Sequence, residues 1–129
     1  MPRIPLGDVI AERTYQWRTP RMSRDVVVCI GRPVLDPLPG GNWVCPVTFR
    51  GAPRGLLPAG VCPVYGIDAL QALVLAVGYV QRELARVQHT EDGALTWMDA
   101  PDLGMPDILG LVGVARMFRA PPKLQLVER

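Results

Sequence analysis

Three features of the sequence point to an α+β domain: a four- to five-stranded, mainly antiparallel sheet with one long helix packed on it. Residues 43–50, WVCPVTFR, alternate Trp43, Cys45, Val47 and Phe49 with Val44, Pro46, Thr48 and Arg50. That is the period of a strand with one buried face. Residues 66–84, GIDALQALVLAVGYVQREL, place apolar side chains three and four apart, which is the period of an amphipathic helix. The runs that precede the helix are short, rich in Val, Ile and aromatics, and broken by Pro and Gly, so turns rather than crossover helices join them.

In chain order, residues 9–17 (VIAERTYQW) suit an edge or half-exposed strand. Residues 19–24 form a turn, and 25–31 (DVVVCIG) are the most strand-like run in the chain. Residues 33–42 (PVLDPLPGGN) connect antiparallel strands. In the alternating strand that follows, Pro46 has no N–H for a ladder, so that strand is expected to be at an edge or bulged there. Residues 56–65 make another strand, broken by Pro58 and Pro63.

The helix starts after Asp68, whose carboxylate can accept first-turn amide N–H groups. Leu70, Leu73, Val77, Val80, Leu84 and Val87 form the stripe expected on the sheet. From Ala72 to Val80 nothing is polar, which leaves a second apolar face of Ala72, Leu75, Ala76 and Tyr79 in need of cover. A symmetric homodimer through that face is the favoured cover. The alternative is the apolar segment 108–118 (ILGLVGVARMF), read as a short helix capped by Asp107 or as a buried strand. Before it come a short strand at 94–98 and a loop, and after it a C-terminal extension. With 129 residues the chain is one domain, with a core over 9–106 and the apolar segment and tail over 107–129.

Chemistry is sparse. The chain has one His (His89), one Ser (Ser23) and one Lys (Lys123), and no nucleophile elbow surrounds Ser23. Cys29, Cys45 and Cys62 lack the spacing of a zinc site. Glu91, Asp92, Asp99, Asp102 and Asp107 fit no calcium loop, and no glycine-rich nucleotide loop is present. No catalytic, cofactor or metal residue is therefore assigned, and an enzyme is the disfavoured reading. The net charge of +2 argues for no polyanionic partner. The arginines, however, concentrate in the first 54 residues. The longest apolar run has nine residues, against the ~20 that span a bilayer. An odd cysteine count and the lack of an apolar leader suggest a cytoplasmic protein with reduced thiols.

The segments VIAER, IGRPV, GNWVCPVTFRG, YGIDALQALVLA, LTW and DLGMP occur here in this order. Through W-x-C-P at residues 43–46, G-x-D-A-L-Q-A-L at 66–73 and D-L-G-x-P at 102–106, the chain resembles small bacterial proteins known only as a domain of unknown function. The resemblance covers about residues 9–106. It implies a bacterial, cytoplasmic protein with strands first and then a long helix, and it implies no activity. Within these motifs Trp43 and Cys45 read as core, Asp68 as a cap, and Gly66 and Gly104 as turn residues. Gln71, polar on an apolar turn, is the member with a candidate binding role.

The resulting expectation is a non-enzymatic protein-binding or adaptor module, of which immunity proteins are one type. It would self-associate through Ala72, Leu75, Ala76 and Tyr79, and meet a partner through Arg21, Arg24, Arg50, Arg54 and Gln71. The alternative is single-stranded nucleic-acid binding, with Tyr15 and Trp17 stacking on bases and the nearby arginines tracking phosphates.

Overall fold

A computed structural model of the chain describes residues 4–37 and 41–105. The expected elements within 106–129 lie outside the described residues. The elements are β1 (Val9–Arg18), β2 (Ser23–Gly31), β3 (Val34–Leu35), β4 (Trp43–Arg50), β5 (Cys62–Gly66), α1 (Ala69–Val87) and β6 (Ala94–Thr96). Every pairing is antiparallel. The order is β3-β4-β2-β1-β6, with β5 also on β4.

Register makes this path simpler. Ile30 stands opposite Val47 and Val34 opposite Val44. Between those pairs one side advances four residues and β4 only three, so β2 and β3 are one bent strand with a one-residue bulge. Val44 and Trp43 pair with both β3 and β5, so β5 lies on the other side of β4. Five ribbons result: β5, β4, β2 with β3, β1 and β6. Pro46 sits within β4 beside the bulge, opposite Pro63 of β5. At that level a missing donor costs the ladder little, which is how an interior strand accommodates a proline.

The helix begins as its cap predicts. Asp68 Oδ1 accepts the Gln71 N–H at 2.8 Å. Gln71 Oε1 reaches back to accept the Ile67 N–H at 2.7 Å. This is the reciprocal arrangement of a capping box, shifted by one residue at its outer end. The polar residue on the apolar turn is thereby explained as part of the helix start.

The face turned to the sheet differs from the expected stripe in its first half. Ala72, Ala76, Val80, Leu84 and Val87 are buried, with Leu73 and Val77 packed at their flanks, while Leu70 is 69% exposed. The small side chains let the helix start lie close against the end of β5: a Cβ on Gly66 would stand 2.8 Å from Ala72 Cα. A leucine at position 72 or 76 would hold the helix off. The stripe that wins is therefore the one that packs most closely, not the one with the bulkiest residues.

The core between helix and sheet contains Tyr15, Trp17, Val26, Val28, Ile30, Cys45, Val47 and Phe49 from the strands, together with Leu57, Leu95 and Leu103. Two expectations need adjustment. Residues 56–61 form a loop instead of a strand, with Leu57 turned into the core. Strand β4 is buried on both faces, although its alternation implied one. Part of the second cover comes from the N-terminal segment: Leu6 crosses Gly31 so closely that a Cβ there would lie 2.7 Å from Pro46 Cγ and 3.3 Å from the Leu6 carbonyl carbon. The Arg32 N–H holds that crossing through the Asp8 carbonyl at 2.7 Å.

Candidate functional site

Two neighbouring strand residues, Arg13 and Tyr15, hold a segment some 90 positions away. Both point to the helix side of β1, where their cross-strand partners are Val28 and Val26. The Arg13 guanidinium donates to the carbonyls of Gly104 at 2.9 Å and Leu103 at 3.3 Å, and its carbon lies 4.0 Å from the centre of the Trp97 ring. The Tyr15 hydroxyl donates to the same Leu103 carbonyl at 3.1 Å. Burial pushes the Tyr15 hydroxyl pKa up, against a smaller lowering by Arg13, so the phenol remains a donor. The D-L-G-x-P motif now has a physical reading. Asp102 Oδ1 accepts the Gly104 N–H at 2.8 Å, Leu103 enters the core, and Gly104, at φ +65°, lies flat on the Trp97 ring where no side chain fits.

Beside this lock a cleft of about 170 Å³ opens between β1 and the helix. Its lining includes Ala11, Val28, Ile30, Val77, Val80 and Met105. A second cleft of about 310 Å³ lies on the other side of Met105, against Gln81, Leu84, Gln88 and Asp102. Strand β6 pairs only with Gln16, Trp17 and Arg18. Among the described residues, β1 therefore has no strand neighbour on that side from Val9 to Tyr15.

The opposite sheet face carries a polar cluster. The Cys29 thiol donates to Glu12 Oε2 at 3.6 Å and accepts from Arg50 Nη2 at 3.5 Å. Thr48 is directly across from Cys29, and its buried hydroxyl has no hydrogen-bond partner. Cys29 itself has no exposed surface, so the cluster reads as a polar patch sealed over a thiol. Sequence reasoning missed it because its members come from three strands with no local spacing.

The expected partner residues separate into two groups. Arg21, Arg24, Arg50 and Arg54 are all exposed, at the end of the sheet where β2 begins and β4 finishes. Gln71 is at the far end, engaged in the helix cap. Of the expected self-association residues, Ala72 and Ala76 are fully buried against the sheet, so they offer nothing to a second chain; this follows from the change of stripe. Leu75 and Tyr79 are half-buried. The Tyr79 ring sits 6.0 Å from Phe49 at 58°, with the Arg82 guanidinium 5.4 Å over it. Its hydroxyl pKa is raised, chiefly by burial and then by a hydrogen bond with Cys62. The apolar face left outside consists of Ile67 (77% exposed), Leu70 (69%) and Val74 (39%), with Leu35 (55%) and Tyr65 (44%) at the same end.

The remaining candidates are scattered. Tyr15 and Trp17 are in the core, which removes the base-stacking surface expected for single-strand binding. His89 bridges to Ala94 next to β6, whereas Cys62 and Cys45 lie on β5 and β4 and Cys29 is on the opposite face. Among the described residues no group of three or more His, Cys, Asp or Glu is placed to hold a metal ion. Asp99 is paired with Arg18, and Glu91 and Asp92 are in an exposed turn. No described helix is long and apolar enough to cross a membrane.

The architecture defines an α+β domain, an antiparallel sheet with a single helix on one face. Residues 11–107 match the family described as a domain of unknown function, DUF6968, and the chain belongs to that family. Neither a curated protein nor a solved structure matches the chain.

Proposed function

We propose that the chain is a protein-binding module that self-associates through the apolar end of its helix. One observation carries this reading: Ile67, Leu70 and Val74 are exposed together at the helix start. Leu70 and Val74 are four apart and share one helix face. Asp68 is the only charge within residues 62–81, so a second copy meets little like-charge repulsion there. Solvated apolar clusters of this kind are typical of interaction sites, and the patch can be self-complementary across a two-fold axis. The basic end, with Arg21, Arg24, Arg50 and Arg54, stays free in such a dimer to meet a different partner.

The test is light scattering on a size-exclusion peak, with Leu70→Asp as comparison. A mass near twice 14.1 kDa that falls to the monomer value in the variant supports the reading. A monomeric parent protein at high micromolar concentration overturns it.

A further inference from the structure

The sheet face away from the helix holds a nucleophile among groups suited to serve it. Glu12, Cys29 and Thr48 stand abreast on β1, β2 and β4, so their side chains share one face. The Cys29 sulfur meets a carboxylate and a guanidinium together. Its thiol donates to Glu12 Oε2 at 3.6 Å, and Arg50 Nη2 donates to it at 3.5 Å. Among the described residues neither Glu12 nor Arg50 forms an ion pair, so both charges are directed at the sulfur.

Thr48 supplies an independent observation. It is 8% exposed, and its hydroxyl has no hydrogen-bond partner. A buried hydroxyl left in this state costs the fold stability, and it calls for a ligand or a chemical role. Cys29 lies between it and Glu12. The other two thiols lack such surroundings. Cys45 is in the hydrophobic core, where thiols are inert. Cys62 is partly exposed and donates to the Gly60 carbonyl at 3.8 Å. Cys29 has no exposed surface, but the two side chains that reach its sulfur belong to exposed residues. Exposed side chains change rotamer within nanoseconds, which is enough to admit a reactant little larger than water.

We propose that Cys29 is an oxidation site for hydrogen peroxide, served by Glu12, Arg50 and Thr48. The Cys29 proton passes to the Glu12 carboxylate, and Arg50 partners the charge left on sulfur. The sulfur attacks the nearer peroxide oxygen, to which the Thr48 hydroxyl donates. An S–O bond forms and the O–O bond breaks. The farther oxygen leaves as hydroxide and takes the proton back from Glu12. Thiol and peroxide thus become sulfenic acid and water, with two electrons moved from sulfur to oxygen. Cys45 belongs to the core on the other face and Cys62 lies beyond β4 on β5, so the product is a sulfenic acid and not an internal disulfide. The site is independent of the helix patch.

Timed exposure of the full chain to hydrogen peroxide tests this. Each sample is unfolded into dimedone, which labels sulfenic acids, and read by peptide mass. The expected result is label at Cys29 ahead of Cys62, although Cys62 is the more exposed thiol, and none at Cys45. Thr48→Val slows labelling of Cys29 about tenfold, the effect of one hydrogen bond lost from the transition state, and does not lower the urea midpoint. Thr48→Ser keeps the parent rate. Label at Cys62 equal to or ahead of that at Cys29 overturns the proposal. Equal label at Cys29 and Cys45 also overturns it, because unfolding is then the route to both. So does an unchanged rate in Thr48→Val, since the hydroxyl then takes no part in the chemistry.

Discussion

The two ends of the long helix are built on different terms. At its start, Ala72 and Ala76 bring the backbone close to the sheet, while the large side chains Ile67, Leu70 and Val74 face water. At its finish, Leu84 and Val87 are buried, and Glu83 and Arg86 form an ion pair at 2.7 Å across one turn. Arg86 also donates to the Leu56 carbonyl at 3.0 Å. The finish thus places its bulk in the core and pairs the largely covered Glu83 with the exposed Arg86. The start inverts that arrangement and depends on close backbone approach and a cap. Bulk left outside is bulk available to another surface, so the inversion separates an end that stabilises the fold from the end proposed to self-associate.

Leu84→Ala should break the comparison most forcefully, with a loss of about 2–5 kcal/mol from a fully buried leucine. Leu70→Ala should stay within about 0.5 kcal/mol in the monomer. Urea denaturation of both, at low protein concentration, gives the ratio. Similar costs would mean that both ends are packed alike.

The sheet floor under the helix gives the next largest effect. Burial pushes the Cys45 thiol pKa up from 9.0 to about 11, and the thiol donates to the Gly31 carbonyl at 3.3 Å. The folded chain keeps this proton where the unfolded chain loses it. The contribution is therefore fully present below about pH 9 and is lost as pH rises through about 11, about 2–3 kcal/mol in total. The raised hydroxyl pKa values of Tyr15 and Tyr79 act in the same direction. Urea midpoints from pH 8 to 11 should fall, less steeply in Cys45→Ala. A flat profile would contradict a sealed floor.

The smallest effect sharpens the view of the helix start. Asp68→Ala should cost about 1 kcal/mol, measured in the same denaturation series. A loss well below that would show that neighbouring packing, and not the cap, fixes where the helix begins.

Much of this fold could be read from local spacing. The alternation of β4, the Asp68 cap and the disturbance at Pro46 each depend on neighbours within a few residues. The helix stripe could not be read so directly. Positions 70, 73, 77 and 80 and positions 72, 76 and 80 are both valid apolar stripes, and only the close approach at Gly66 chooses between them. Gln71 was legible in principle: an acid followed three residues later by Gln is a capping-box spacing. Arg13 and Tyr15 were not, because on β1 they resemble the polar and aromatic residues of a half-exposed strand. Their meaning depends on carbonyls 88 to 91 residues away. The Glu12, Cys29 and Arg50 cluster failed to show for the same reason.

That distance also has a consequence for the order of events during synthesis. Strand β1 can pair with β2 once the first hairpin is made, but its hydroxyl and guanidinium receive their carbonyls only after residue 104 has emerged. Closing so long a loop carries an entropic cost that grows slowly with its length. Sequence-distant pairings of this kind slow folding. The nascent chain therefore carries a hairpin of β1 and β2 for most of its translation before residues 103–104 reach the Arg13 and Tyr15 side chains.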